Sequence, residues 1–255
     1  ASTKVNLGWA FCDLLSLYAF CCWAFDPVLP RRWLLVAGIF SGVAFATQYV
    51  AAYSIIVFSL MIFVVSLKGA RGGYDVARDF CKRLAIYIIP VVFLSSPWLL
   101  KNYIETSNPV YPMFNQFFTG QLTPPALQVS RHSSHLFGMI PTIWDMSTGY
   151  IAGTYSKPLG PIFLAVLPGL LLLRAIDPKL RLACVFVLVW YVLWFVGVQR
   201  PRNFLTPLAV LSLIVAHVSL ALGQRDRLIR YGFVILFVFY LIFNWALYTR
   251  LHLFR

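Results

Sequence analysis

Apolar residues in this chain fall into long blocks separated by short polar clusters, and the block lengths are those of membrane-spanning helices. A span needs roughly 20 apolar residues, with about 17 tolerated. The first block runs from Leu7 to Phe25 and ends at Asp26-Pro27, ahead of Pro30-Arg31-Arg32. The next, Trp33 to Leu67, has 35 residues, too many for one span and enough for two short ones. Its one polar break is Thr47-Gln48-Tyr49, which predicts a tight hairpin there. A fourth span is expected from Leu84 to about Leu100. Residues 101–160 lose the pattern. They hold Pro109, Pro112, Pro124, Pro125, Pro141 and Pro158 with several Ser and Thr, as an extramembrane loop does. Four more spans are expected, at about Pro161–Leu173, Leu182–Val198, Phe204–Leu222 and Tyr231–Tyr248.

The expected fold is therefore all-α, a polytopic transmembrane bundle of about eight spans with one long extracytoplasmic loop. Residues 1–100 would carry spans one to four with a basic cytoplasmic loop at 68–83. Residues 101–160 form the loop, and 161–255 carry spans five to eight. Charge orients this arrangement. The connections 26–32, 68–83, 174–181 and 223–230 hold 13 of the 21 Lys and Arg, and the other 8 are spread over far more residues. The positive-inside bias makes the first set cytoplasmic, so the long loop and the Val198–Asn203 turn face outward.

Composition supports the class. Sixty per cent hydrophobic residues, 11% charged residues and a mean hydropathy of +0.79 exclude a single soluble domain. The 22 Phe, 13 Tyr and 8 Trp exclude disorder. A net charge of +13 does not indicate a nucleic-acid partner, because the cations sit in short clusters between apolar blocks rather than on one face. Cys12, Cys21, Cys22, Cys81 and Cys184 have no metal-ligand spacing and read as packing thiols. The chain opens on Ala1 with no basic leader before Leu7, and is expected to be a fragment that starts inside a longer protein.

Ionisable groups inside a membrane are costly, so function is sought among them. Asp13 lies about two turns into the first span, near the outer surface. It is either a helix-end carboxylate reaching water or an acid in an outward-facing polar cavity. Gln48 satisfies turn backbone or meets a ligand. Lys101 and Asn102 end the fourth span, where a lysine either snorkels or contacts a lipid phosphate. Arg200 and Arg202 occupy a short outer turn, Val198-Gln199-Arg200-Pro201-Arg202-Asn203, against the inside bias. Paired guanidiniums recognise phosphate through parallel donors, or anchor lipid headgroups. The loop adds Glu105, Tyr111, His132, His135 and Asp145. His132 and His135 suit a solvated loop better than a metal, and Asp145 beside Trp144 could meet a sugar. No Gly-rich phosphate loop, HExxH or nucleophile elbow is present.

Taken in order, the strings are familiar. Pro97-Trp98-Leu99-Leu100-Lys101-Asn102 and Thr106-Ser107-Asn108-Pro109-Val110-Tyr111-Pro112 resemble the "PW..RN....GNP.YP" stretch of bacterial C-type (GT-C fold) membrane glycosyltransferases. These include relatives of the dolichyl-phosphate-mannose protein mannosyltransferases and the lipid A aminoarabinose transferase. Residues Gly38 to Tyr49 are similar to the family's "GL..G.A..TKY" helix. Leu159-Gly160-Pro161-Ile162-Phe163-Leu164 and Gln199 to Pro207 resemble its "GP.FL" and "R(Y/F)L.P" segments. Gln48 stands where relatives often have Lys, Lys101 replaces the usual Arg, and Asn203 lies where Tyr is common nearby.

The resemblance implies sugar transfer from a polyprenyl-phosphate carrier to a lipid, glycan or protein acceptor at the outer face of a plasma (inner) membrane. A carboxylate takes the acceptor's proton and the lipid phosphate leaves. Asp13 matches a second acid of the family and is the candidate catalytic residue. The principal acid belongs to a first outer loop that is not in this sequence. Gln48, Lys101, Asn102, Tyr111, Arg200 and Arg202 are the candidates for substrate and carrier phosphate. No metal ligands are assigned, although a divalent metal is within the family's range. The rivals are a multi-pass transporter or lipid flippase, which needs a polar path at mid-depth, and a non-catalytic assembly subunit. An open crevice at Asp13 would favour the enzyme, and tight packing the subunit.

Overall fold

The computed structural model describes residues 2–26, 28, 30–69, 73–120, 138–148, 150–151, 154–155, 162–173, 175–197 and 200–253. Apart from one two-residue strand pair, every regular element among them is helical. The chain runs α1 (Ser2–Phe25), α2 (Arg31–Thr47), a 3-10 turn (Tyr49–Ala51), α3 (Ala52–Gly69), α4 (Gly73–Thr106), α5 (Asn115–Thr119) and α6 (Met139–Thr148). The strands β1 (Tyr150–Ile151) and β2 (Thr154–Tyr155) follow, paired antiparallel with Tyr150 opposite Tyr155. Then come α7 (Ile162–Val166), a 3-10 segment (Leu167–Leu172), α8 (Pro178–Val196), a 3-10 turn (Pro201–Phe204), α9 (Leu205–Gly223) and α10 (Arg227–Leu253).

Five helical stretches among the described residues are long and apolar enough to cross a membrane: Val5–Phe25, Tyr49–Leu67, Gly73–Thr106, Pro178–Val196 and Arg202–Gly223. The chain is thus helical with membrane-protein character. Five rather than eight spans meet that test. The block expected at Pro161–Leu173 is short because Pro168-Gly169 tightens its helix into 3-10 geometry from Leu167. The apolar block does break at the expected place, with Gln48 extended between α2 and the next turn.

Two boundaries differ from expectation. α4 begins at Gly73, so residues 73–83 of the expected basic loop are helix. No Gly or Pro interrupts residues 74–89, and hydropathy marks where charge stops, not where a helix starts. At 34 residues, α4 is about 50 Å long and outreaches a bilayer core of roughly 30 Å. The second difference is in 101–160, where α4 continues to Thr106 and α5, α6 and the strand pair follow. α4 holds Pro90 and Pro97 within its length. Pro97 cannot donate to the Phe93 carbonyl, and the Ser96 hydroxyl takes that place at 2.8 Å.

The residues form two compact units, Ala1–Ser130 with Leu188–Thr206, and Arg131–Val187 with Pro207–Arg255. In the first, α2 packs along α1 and α4. α1 buries Asn6, Trp9, Asp13, Ser16, Phe20 and Trp23 at steps of three and four, one helical face. Phe20 stacks on Phe58 at 5.0 Å and meets Trp23 at 5.3 Å. On α2, Gly38 and Gly42 allow the backbone of α4 to approach. A Cβ at Gly38 would press on the Tyr87 carbonyl and lie 2.7 Å from Pro90 Cγ. In the second unit, Gly169 lies against Val218 and Leu222, and Arg225 Nη1 donates to the Leu172 carbonyl at 2.8 Å. Asp226 Oδ1 accepts from the Leu228 N–H at 2.7 Å at the start of α10.

Candidate functional site

Asp13, Gln48, Lys101, Asn102, Tyr111, Arg200 and Arg202 all belong to the first unit. Asp13 faces inward from α1 and has no solvent exposure. Its Oδ2 accepts the Ser54 hydroxyl of α3 at 2.6 Å, and Ser54 Oγ accepts the Trp190 indole N–H of α8 at 2.9 Å. The direction is fixed. Trp190 can only donate, so the Ser54 proton points at Asp13. Oδ1 has no hydrogen-bond partner. The buried Thr206 hydroxyl faces the same carboxylate without meeting hydrogen-bond geometry. One turn before Thr206, the buried Asn203 also has an unpartnered amide oxygen, and Trp9, one turn before Asp13, has an unpartnered indole N–H. Leaving such a group unpaired costs about 1–3 kcal/mol each. Among the described residues the ion pairs are Asp79–Arg83 and Lys101–Glu105, so no cation balances Asp13.

Asp13 does not reach solvent as a helix-end carboxylate would. An aromatic cluster lies on the Trp190 side of this site. Trp190, Tyr191, Trp194 and Phe204 pack edge-on or stacked at 5.6–6.1 Å between centroids. Tyr53 meets Trp190 at 5.1 Å, and its hydroxyl lies where a Cβ on Gly197 would stand.

Arg200 and Arg202 flank the turn that leads into α9. Arg200 caps it and its carbonyl accepts the Trp194 indole N–H at 3.0 Å, while the Arg202 side chain is exposed. Their neighbours Val198 and Gln199 lie outside the described residues.

A second cluster surrounds Gln48. Its neighbour Tyr49 receives two donors on its hydroxyl, Asn102 Nδ2 and Trp98 Nε1, the latter at 3.2 Å. The Gln48 side-chain oxygen is buried and unpartnered. Lys101 turns outward, 5.3 Å over the Trp98 ring and 3.8 Å from Glu105. Tyr111 is half-buried, in the loop that follows α4. That loop is organised by Asn108, fully buried, which accepts the Val110 N–H at 3.0 Å and donates to the Met113 carbonyl at 2.9 Å. Thr106 joins Asn102 to Asn108 through their carbonyls. The asparagines of this motif therefore build the loop. His132 and His135 lie outside the described residues. Asp145 is on α6, in the other unit.

No family model, curated protein or solved structure matches this chain.

Ser107 and Phe114 carry left-handed backbone in that loop, and Ser107 is the one that opens it. The φ of Ser107 is +57°, in the left-handed region, at the position where the resembled pattern has glycine. A side chain there costs roughly 1–2 kcal/mol. Ser107→Gly is expected to raise the thermal midpoint, by about 1 kcal/mol of stability, in a detergent melting assay.

Ser54, Trp190 and Thr206 escape a sequence reading because each sits singly in an apolar or turn context. The one available signal is helical phase. Asn6, Trp9, Asp13 and Ser16 share a face, which marks that face of α1 as polar and inward. A second polar chain begins further along it. Tyr87 donates to Ser41 (2.7 Å), Ser41 to Ser16 (2.7 Å), and Ser16 to the Ala37 carbonyl (2.8 Å). This chain ends on a carbonyl, which takes no proton, so it ties α1, α2 and α4 together rather than relaying charge.

Chemically, the Asp13 cluster offers one carboxylate oxygen held by a donor and one with lone pairs free. With no ion pair to Asp13 among the described residues, that second oxygen is a strong acceptor for an O–H group.

Proposed function

We propose that this chain carries part of a GT-C-type glycosyltransferase that crosses the membrane eight times and uses a polyprenyl-phosphate-linked sugar. Asp13 takes a proton from the acceptor hydroxyl, and Arg200 and Arg202 hold the carrier phosphate at the extracytoplasmic face. The observation that carries this reading is the Asp13 carboxylate, bound on one oxygen by Ser54 and unpartnered on the other. A general base needs a free lone pair within reach of the proton it removes. The leaving phosphate needs cations, and the Arg200–Arg202 turn runs directly into Asn203 and Thr206. α2, with 17 residues, and α10, with 27, supply two further crossings in this reading, and Ile162–Leu172 the eighth.

The enclosure of Asp13 favours a second reading, a membrane assembly subunit without chemistry. There Asp13 is a neutral core group held by Ser54. The transporter reading needs a polar path, and the Tyr87–Ser41–Ser16 chain closes on a backbone carbonyl instead. Replacing Arg200 and Arg202 by Ala in the full-length protein is expected to abolish sugar transfer while membrane insertion persists, measured with a labelled polyprenyl-phosphate sugar. Transfer at the parent rate removes the phosphate role.

A further inference from the structure

At the opposite end of the first unit from the Gln48 turn, the last turn of α1 and the first turns of α2 and α4 bring basic residues to one level. The α2–α4 contacts fix the register. Gly38 faces Tyr87 and Pro90, and Gly42 faces Pro90, Val91 and Leu94, so the two helices run parallel. Two turns earlier, seven residues back on each helix, Arg31 comes level with Phe80 and Arg83. Arg83 lies 5.6 Å over the Trp23 ring of α1. Its Nη2 is paired with Asp79 at 2.8 Å, yet its Nη1 is buried and has no partner. Arg31, Arg32, Arg78 and Lys82 are exposed and take part in no ion pair among the described residues. The nearby acids do not balance them. Asp79 is taken by Arg83, and Asp26 and Asp75 are two acids against Arg31, Arg32, Arg78 and Lys82.

We propose that this cluster binds the phosphate of an anionic phospholipid, with Arg31 and the free edge of Arg83 as its donors. An unpartnered buried guanidinium nitrogen at the level of a second arginine calls for an anion with several acceptor oxygens. A phosphate meets that demand and relieves the repulsion between the two cations. The same helices identify its source as a lipid. Beyond the arginines, α2 exposes Leu35, Ile39 and Val43 at steps of four, and α4 exposes Ile89, Val92 and Phe93. Acyl chains match that surface, and a soluble phosphate does not. An interfacial cation is worth about 1 kcal/mol toward anionic lipid, or about fivefold in affinity.

The test is equilibrium binding of fluorescent phosphatidylglycerol and phosphatidylcholine to the full chain in detergent, with glycerol 3-phosphate as a soluble competitor. The parent chain is expected to prefer phosphatidylglycerol by at least about fivefold. Arg31→Gln is expected to remove most of that preference. Arg31 is exposed, so this variant keeps its fold, and an unchanged melting temperature checks it. Arg83→Gln is expected to act in the same direction. Equal binding of the two lipids, or an unaltered preference in Arg31→Gln, overturns the site. Displacement of the lipid by glycerol 3-phosphate overturns the lipid as its source.

Discussion

Asp13→Asn is expected to lower sugar transfer by about 10²- to 10⁴-fold, the usual contribution of a general base, while the thermal midpoint stays level or rises. The two readouts part because the two roles differ. Asn keeps a side-chain oxygen for the Ser54 hydroxyl at 2.6 Å, so packing between α1 and α3 is retained. It removes a charge that is fully buried and has no cation partner, and burying such a charge is costly. The measurements are single-turnover transfer from a labelled polyprenyl-phosphate sugar and melting in detergent, both on the full-length protein. Parent-level transfer with unchanged melting makes Asp13 a neutral core residue and supports the assembly-subunit reading. A joint collapse of transfer and melting makes it a structural anchor.

The largest stability effect is expected at Gly38. Gly38→Val places three carbons where the Tyr87 carbonyl and Pro90 already stand, with backbone on one side and a proline ring on the other. Neither is the far end of a flexible side chain. Overpacking of a tight contact costs about 1–3 kcal/mol, and here α2 must separate from α4. That movement also breaks the Ser41–Tyr87 hydrogen bond at 2.7 Å. The folded fraction recovered in detergent is expected to fall severalfold, or the melting transition to vanish. Gly73→Val is the control, since a Cβ there meets nothing within 4 Å. Equal yields of the two variants would show that α2 and α4 are not held at this glycine.

These residues also show what the sequence discloses. Long apolar blocks gave the helices, and the Thr47-Gln48-Tyr49 break gave the turn, because hydropathy and helix-breaking polarity are local properties. Span count was less accessible. It depends on how Pro168-Gly169 reshapes a short apolar run, and on α2 stopping at 17 residues. In the site, Asp13 could be singled out because an acid in an apolar block is conspicuous. Ser54 and Trp190 could not, since hydroxyls and indoles are common in spans and their pairing joins residues 136 positions apart. The Asn102–Asn108 motif shows the converse. It stands out in sequence, yet in the structure it shapes the loop through Tyr49, Thr106 and Met113.

In the proposed function a lipid-carried phosphate docks beside the Asp13 cluster at the Arg200–Arg202 turn. Photo-crosslinking of the full-length protein in membranes with a polyprenyl phosphate bearing a photoreactive group next to its phosphate tests it most directly. Label is predicted on the peptide around Arg202 and Thr206, and is predicted to decline when both arginines are replaced by Ala. Label confined to α10, or undiminished in the double variant, would contradict phosphate docking at this turn.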